Sequence, residues 1–363
     1  MSTGRSLNPP RSVRLLVGMV VLALAFAAGC LFIRSLFPFP RIPNVHAKLM
    51  QFREHANDYD TLFVGSSRIN YQVIPAMFDQ LAGAAGQPTK SYNAAVAGMR
   101  PPEDSFFLDQ LLAAKPQRLR WVFIELMNIR AKMNDEVRGT MRAQYWHDLP
   151  RLRLIWQRVS QLKSTKRSRS LEGIWNELRD PLADFPEHLE LFFREMCNLG
   201  RGDFLARHLF SNPPEPDFPA EFYLGTDAAG WTPTGRGEDI LPQNRLQLEK
   251  ERAERLAQPA IHDLSDPVSQ QSLEAMIEKV ERLGATPVLI VAPVTAKRVF
   301  FPRPERAQKT IVLDLNDPVK YPELYETRHR IDTAHLNTAG AEAFTRILVE
   351  QWTAAVKARG SAR

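Results

Sequence analysis

Apolar positions along the chain fall into two alternating patterns. Short uninterrupted runs, Thr61-Leu62-Phe63-Val64, Trp121-Val122-Phe123-Ile124 and residues 286–291, predict buried strands. Residues 91–96 and 310–313 add two further candidates. Between them lie stretches with apolar residues three and four apart. Residues 73–81 open with Pro75 in a first turn, and residues 103–114 place Phe106, Phe107, Leu111 and Leu112 on one side. Residues 269–283 and 339–356 repeat the helical period. Strand runs separated by helical runs predict parallel βαβ units.

Two segments break the alternation. Residues 15–33 carry no charge, follow Arg5, Arg11 and Arg14, and end at Arg34. Nineteen residues are just enough to cross a hydrocarbon core of about 30 Å. The reading is a cytoplasmic tail at 1–14, a transmembrane helix at 15–33, a linker at 34–57 with a stiff proline spacer at 38–43, and a body at 58–363 outside the cytoplasm. A cleaved signal peptide is one rival. A lipoprotein signal is another, because Ala27-Ala28-Gly29-Cys30 resembles a lipobox; against it, Leu31-Phe32-Ile33 stay apolar beyond the cysteine. From 131 to 262 the strand-helix rhythm is lost. Helical residues 152–162 alternate there with the basic run 163–169 and the proline-rich run 212–216, which predicts an inserted, mainly helical cap.

Composition narrows the class. The chain of 363 residues is 44% hydrophobic and 24% charged, the profile of a globular protein. A net charge of +6 suits anionic polymers, membrane surfaces or acidic substrates and singles out none. Of two cysteines, Cys30 falls in the apolar run and Cys197 is alone in the body, so no disulfide within the body is expected. There is no G-x-S-x-G elbow, P-loop, dinucleotide fingerprint, H-E-x-x-H or Cys/His metal spacing, and neither a metal nor a cofactor nor a nucleic-acid partner is expected.

Candidate chemistry sits at the two ends of the body. The first strand runs into Gly65-Ser66-Ser67, and Ile331-Asp332-Thr333-Ala334-His335 precedes the last helix. An Asp three residues before a His can hold the imidazole in one tautomer, leaving Nε2 free to take a proton. A serine needs such a base, because its hydroxyl is a poor nucleophile at neutral pH. The plainer alternative is two capping turns, with Asn337 or Thr338 capping the last helix and the small polar residues after the first strand capping the next one; in the catalytic reading Ser66 is the competing nucleophile, or supports the turn.

In this order the two motifs resemble the SGNH/GDSL hydrolase superfamily, whose extracytoplasmic branch includes alginate O-acetylation proteins and the D-alanyl transfer protein of teichoic acid modification. Gly65-Ser66-Ser67 stands where that family has Gly-Asp-Ser, with Ser67 in the nucleophile position. Asp332 and His335 match its Asp-x-x-His block. The resemblance implies an oxyanion hole with Gly98, from Asn93-Ala94-Ala95-Val96-Ala97-Gly98, and Asn128, although Leu126-Met127-Asn128-Ile129 keeps only the Asn of Gly-x-Asn-Asp. It implies an α/β, flavodoxin-like three-layer sandwich with a central parallel sheet. It also implies a serine esterase or acyltransferase, anchored in the inner membrane with its body in the periplasm. Such an enzyme would act on acyl groups, acetyl by analogy, of a cell-envelope polysaccharide or acylated carrier, beside a membrane-bound acyltransferase. A non-catalytic polysaccharide-binding or export component and a lipid esterase are the alternatives.

Overall fold

The computed structural model describes residues 10–36, 42–164, 171–198, 227–234 and 240–360. The elements in chain order are α1 (Arg11–Leu36), α2 (Pro43–Glu54), β1 (Thr61–Val64), α3 (Ser67–Gln72), α4 (Pro75–Ala84), β2 (Ser91–Asn93), α5 (Glu103–Leu112) and β3 (Trp121–Glu125). Then come α6 (Met141–Gln144), α7 (Leu149–Ser164), α8 (Leu171–Met196), α9 (Pro242–Ala257), β4 (Ile261–Asp263), α10 (Pro267–Arg282) and β5 (Thr286–Val291). The chain closes with β6 (Arg298–Phe300), α11 (Pro304–Lys309), β7 (Ile311–Asp314), two short 3-10 turns and α12 (Thr338–Gly360).

Five strands form one parallel sheet in the order β2-β1-β3-β5-β7. Alternate strand residues face opposite layers. Leu62, Val64, Val122, Ile124, Leu289 and Val291 join one core with α2, α5 and α10. Phe63, Phe123, Val288, Ile290, Ile311 and Leu313 join the other with α4 and α12. Both faces are covered, which is why these strands are apolar without alternation. Phe63 stacks on Phe123 at 4.5 Å, and Trp352 of α12 meets Phe123 edge-on at 5.7 Å.

Residues 34–57 are not all linker. Within them α2 buries Val45, Leu49 and Phe52 in the first core, with Pro43 in its first turn. A polar, slightly basic sequence hides this helix, because its apolar residues are few and spaced along one face. Strand β2 is shorter than the run 91–96 suggests, although the chain stays beside β1, with the Ala94 amide donating to the Phe63 carbonyl at 2.9 Å and the Val96 amide to the Gly65 carbonyl at 3.1 Å. Among the described residues of 131–262, four helices lie outside the central sheet, and β4, which begins at Ile261, pairs with β6 in a separate two-stranded sheet. The runs 212–216 and 165–169 lie outside the described residues, as does most of the spacer at 38–43.

Helix α1 has no buried residue and is, among the described residues, the one helix long and apolar enough to cross a membrane. Its last turn meets the end of α8: Arg34 pairs with Glu195, and Asn198 donates to the Cys30 carbonyl at 2.9 Å.

Candidate active site

The sheet's connectivity decides where chemistry-bearing residues gather. From β1 the chain turns one way to β2 and the other way to β3, so the loops after these strands open a crevice at their carboxyl ends. Ser67 follows β1, Gly98 follows β2, Asn128 follows β3, and His335 comes from the loop before α12. All four line one cleft of about 500 Å³.

The turn after β1 needs its glycine. A Cβ on Gly65 would stand 2.6 Å from Ile69 Cγ1 and 2.7 Å from Glu125 Oε2. Ser66 caps α3, its Oγ accepting from the Arg68 amide at 3.3 Å. The Ser66 amide in turn donates to Glu125 Oε2 at 2.6 Å, and Arg68 Nε lies 2.6 Å from Glu125 Oε1. Glu125, the last residue of β3, thus braces the turn from below.

Ser67 Oγ lies 2.7 Å from His335 Nε2, and His335 Nδ1 lies 2.8 Å from Asp332 Oδ2. A carboxylate only accepts, so Nδ1 carries the proton and Nε2 accepts from the hydroxyl. Asp332 Oδ1 accepts from the amides of Ala334 and His335, each at 2.7 Å. Burial pushes the Asp332 carboxyl up, but the bond to His335, its charge and the two amides together hold it below the usual carboxylate range. The Tyr71 ring meets His335 edge-on at 5.9 Å. Asn337 Oδ1 accepts from the Gly340 amide at 3.0 Å, so the cap and the Asp-His pair coexist.

Among the described residues no acceptor engages the amides of Ser67 or Gly98. Gly98 has φ +71°, a region that disfavours a side chain, and a Cβ there would meet Glu136 Oε2 at 2.8 Å. Asn128 lines the cleft, and its Oδ1 is buried without a donor. A hydroxyl on a neutral imidazole, beside unengaged amides and a carboxamide, can attack an acyl carbon and stabilise the resulting oxyanion. Among the described residues no group of three or more His, Cys, Asp or Glu is placed to hold a metal.

Local motifs gave Ser67, Asp332 and His335 and the resemblance added Gly98 and Asn128; Ser67, Gly98, Asn128 and His335 line one cleft, and Asp332 bonds to His335. Sequence reasoning missed their supports. Glu125 had a signal, a carboxylate ending a buried apolar strand. Asn134 donates to the Gly98 carbonyl at 3.0 Å, and Arg142, paired with Glu103, donates to the Ala97 carbonyl at 2.7 Å. Trp231 Nε1 donates to the Tyr71 carbonyl at 2.9 Å. These three come from segment 131–262, which carries no local pattern that reveals them. No family model matches the chain, and no curated protein matches it.

Proposed function

We propose that the protein is a serine esterase or O-acyltransferase of the SGNH type, acting on acyl groups of a cell-envelope polysaccharide. The observation that carries the reading is the hydrogen-bonded series Ser67–His335–Asp332, at a cleft that Gly98 and Asn128 also line. The sheet order supports it, since β2-β1-β3-β5-β7 is the flavodoxin-like, doubly wound order with its site at the switch point.

Ser67 Oγ attacks the acyl carbon as His335 Nε2 takes the hydroxyl proton. The carbonyl π pair moves onto oxygen, where the amides of Ser67 and Gly98 and the Asn128 carboxamide receive it. Asp332 stabilises the imidazolium and keeps its proton on Nδ1. Collapse expels the alcohol oxygen, which takes the proton from Nε2 and leaves an acyl-serine. Water or a sugar hydroxyl, deprotonated by His335, repeats the sequence in reverse. The same residues serve hydrolysis and transfer, so the outcome rests on which acceptor reaches the acyl-enzyme first. Helix α1 would tether the enzyme to the inner membrane with the cleft on the periplasmic side, next to a membrane-bound acyl donor system. The test is hydrolysis of small aryl acetates by the full chain. Ser67→Ala and His335→Ala should each lower turnover by several orders of magnitude, because triad members act as a unit. Activity unchanged in both variants would refute the triad, and no activity in the parent chain would leave a non-catalytic binding scaffold.

A further inference from the structure

Along α1, Cys30 is the one residue that is partly covered; the others are exposed. The end of α8 reaches the helix there. Asn198 donates to the Cys30 carbonyl at 2.9 Å, and Arg34 pairs with the buried Glu195. Cys30 lies four residues before Arg34, the residue that closes the uncharged run. At 1.5 Å per residue that is about 6 Å deeper along the helix axis. With α1 across a bilayer, the end of α8 therefore sits at the outer edge of the hydrocarbon rather than above the headgroups.

Helix α8 brings an apolar stripe to that level. Leu189, Phe193 and Met196 are 37%, 48% and 40% exposed, at the i, i+4, i+7 spacing of one helix face. The opposite face turns inward, with His188, Leu191 and Glu195 buried. One turn before Leu189, Phe185 packs its ring against Trp156 of α7 at 4.9 Å, and Trp156 is itself half exposed. Arg153 is exposed one turn before Trp156. Single exposed apolar residues need no partner, whereas a stripe of them beside a tryptophan marks a contact surface.

We propose that α7 and α8 form a membrane-docking surface, with Leu189, Phe193 and Met196 set into the outer interface of the bilayer and Trp156 at the headgroup level. The inference rests on the reading of α1 as a membrane-spanning helix and is independent of the chemistry at Ser67. Lipid is the occupant because the stripe runs out from the point where α8 touches α1 at the depth of Cys30, and lipid surrounds α1 at that depth. An amphipathic helix in this position buries its apolar face about 5–10 Å into the headgroup and acyl boundary. Tryptophan favours the same layer, and Arg153 can lay its stem along apolar surface with its charge among the headgroups. A tether alone leaves the body free to tilt; a second contact fixes its height. Asn134 and Arg142, which hold the carbonyls of Gly98 and Ala97, belong to the same segment as α7 and α8. Docking would thus hold the cleft at a set distance from the bilayer.

Fluorescence quenching tests the surface in the full chain, reconstituted in nanodiscs of phosphatidylethanolamine and phosphatidylglycerol. Cys30→Ser and Cys197→Ser remove the native thiols. Phe193→Cys, Leu22→Cys in α1 and Val319→Cys, at an exposed position after β7, each then carry one environment-sensitive fluorophore. The label at 193 should lose about half of its emission or more to lipids brominated on their acyl chains, and should resist aqueous iodide. The label at 319 should respond to iodide alone, and the label at 22 to brominated lipid alone. Adding Leu189→Glu and Met196→Glu should bring the label at 193 to the response of the label at 319 and leave the label at 22 unchanged. Iodide quenching at 193 without lipid quenching would overturn the proposal, as would lipid quenching that survives both glutamates. Protection at 193 from both quenchers would overturn the lipid assignment in favour of a second copy of the chain. The label at 22 reports the anchor separately. Lipid quenching at 22 but not at 193 refutes the docking surface alone, and quenching at 193 but not at 22 refutes the membrane-spanning reading of α1 alone. Quenching at neither refutes both.

Discussion

Ser67, Asp332 and His335 were legible because each belongs to a local pattern: a strand that ends in small residues, and an Asp three positions before a His. Their supports were not legible, because a tertiary pair leaves no spacing in the sequence. Glu125 illustrates the difference. It accepts from the Ser66 amide and pairs with Arg68, and its side chain is fully buried. Glu125→Ala would leave a buried amide without an acceptor and Arg68 without its counter-charge. The expected loss is about 3 kcal/mol, the lower end for breaking a buried pair because Arg68 keeps some solvent contact. Urea unfolding in detergent measures it, and an unchanged midpoint would remove Glu125 from the turn's support. Asn128→Ala should lower turnover about 10²–10³-fold if its carboxamide receives the oxyanion. A negligible change would return Asn128 to a structural role and leave the two amides to act alone.

At the scale of elements, the central strands and the long helices were legible from periodicity, since strands buried on both faces and amphipathic helices leave distinct patterns. Helix α2 was not, and its role is positional. Its Lys48 is buried, donates to the Asn93 carbonyl at 3.2 Å, and also contacts Asn70 Oδ1 and the Ala95 carbonyl. It therefore ties α2 to α3, which begins at Ser67, and to the loop that leads to Gly98. Burial pushes the Lys48 ammonium down to about 7, with Asp227 pulling the other way. From about 7 up to the ordinary 10.5, the unfolded chain holds a proton that the folded chain has largely released. The penalty for a buried charge is thus fully present below about pH 7 and is relieved as pH rises toward 10.5. Wild-type stability minus that of Lys48→Met should increase with pH across this window, by at most about 1.4 kcal/mol per pH unit. Unfolding titrations at several pH values check it, and a flat difference would mean that Lys48 stays charged in the fold. In the same loop, Gly98→Ala should strain the backbone at φ +71° and displace the amide, lowering turnover about tenfold or more.

For the whole molecule, segment 131–262 is where sequence reasoning was weakest. Its described parts approach both halves of the cleft, through Asn134 and Arg142 on one side and Trp231 on the other. These contacts follow from the way the body folds around its sheet, which no window of local sequence encodes. The other global feature, α1, was plain because nineteen uncharged residues make a helix long and apolar enough to cross a bilayer. Arginines before the segment predict that residue 35 onward lies outside the cytoplasm. Protease added to spheroplasts should digest the body, whereas full protection would place it inside. Lipid found on Cys30 by mass spectrometry would replace the helix with a lipoprotein anchor.

The central claim is that Ser67 is a nucleophile activated by His335. Labelling the full chain with a fluorophosphonate, followed by peptide mapping, tests it most directly. The account predicts one adduct, on Ser67, that disappears in His335→Ala while Ser66→Ala still labels. An adduct on Ser66, or no adduct on a folded protein, would contradict it.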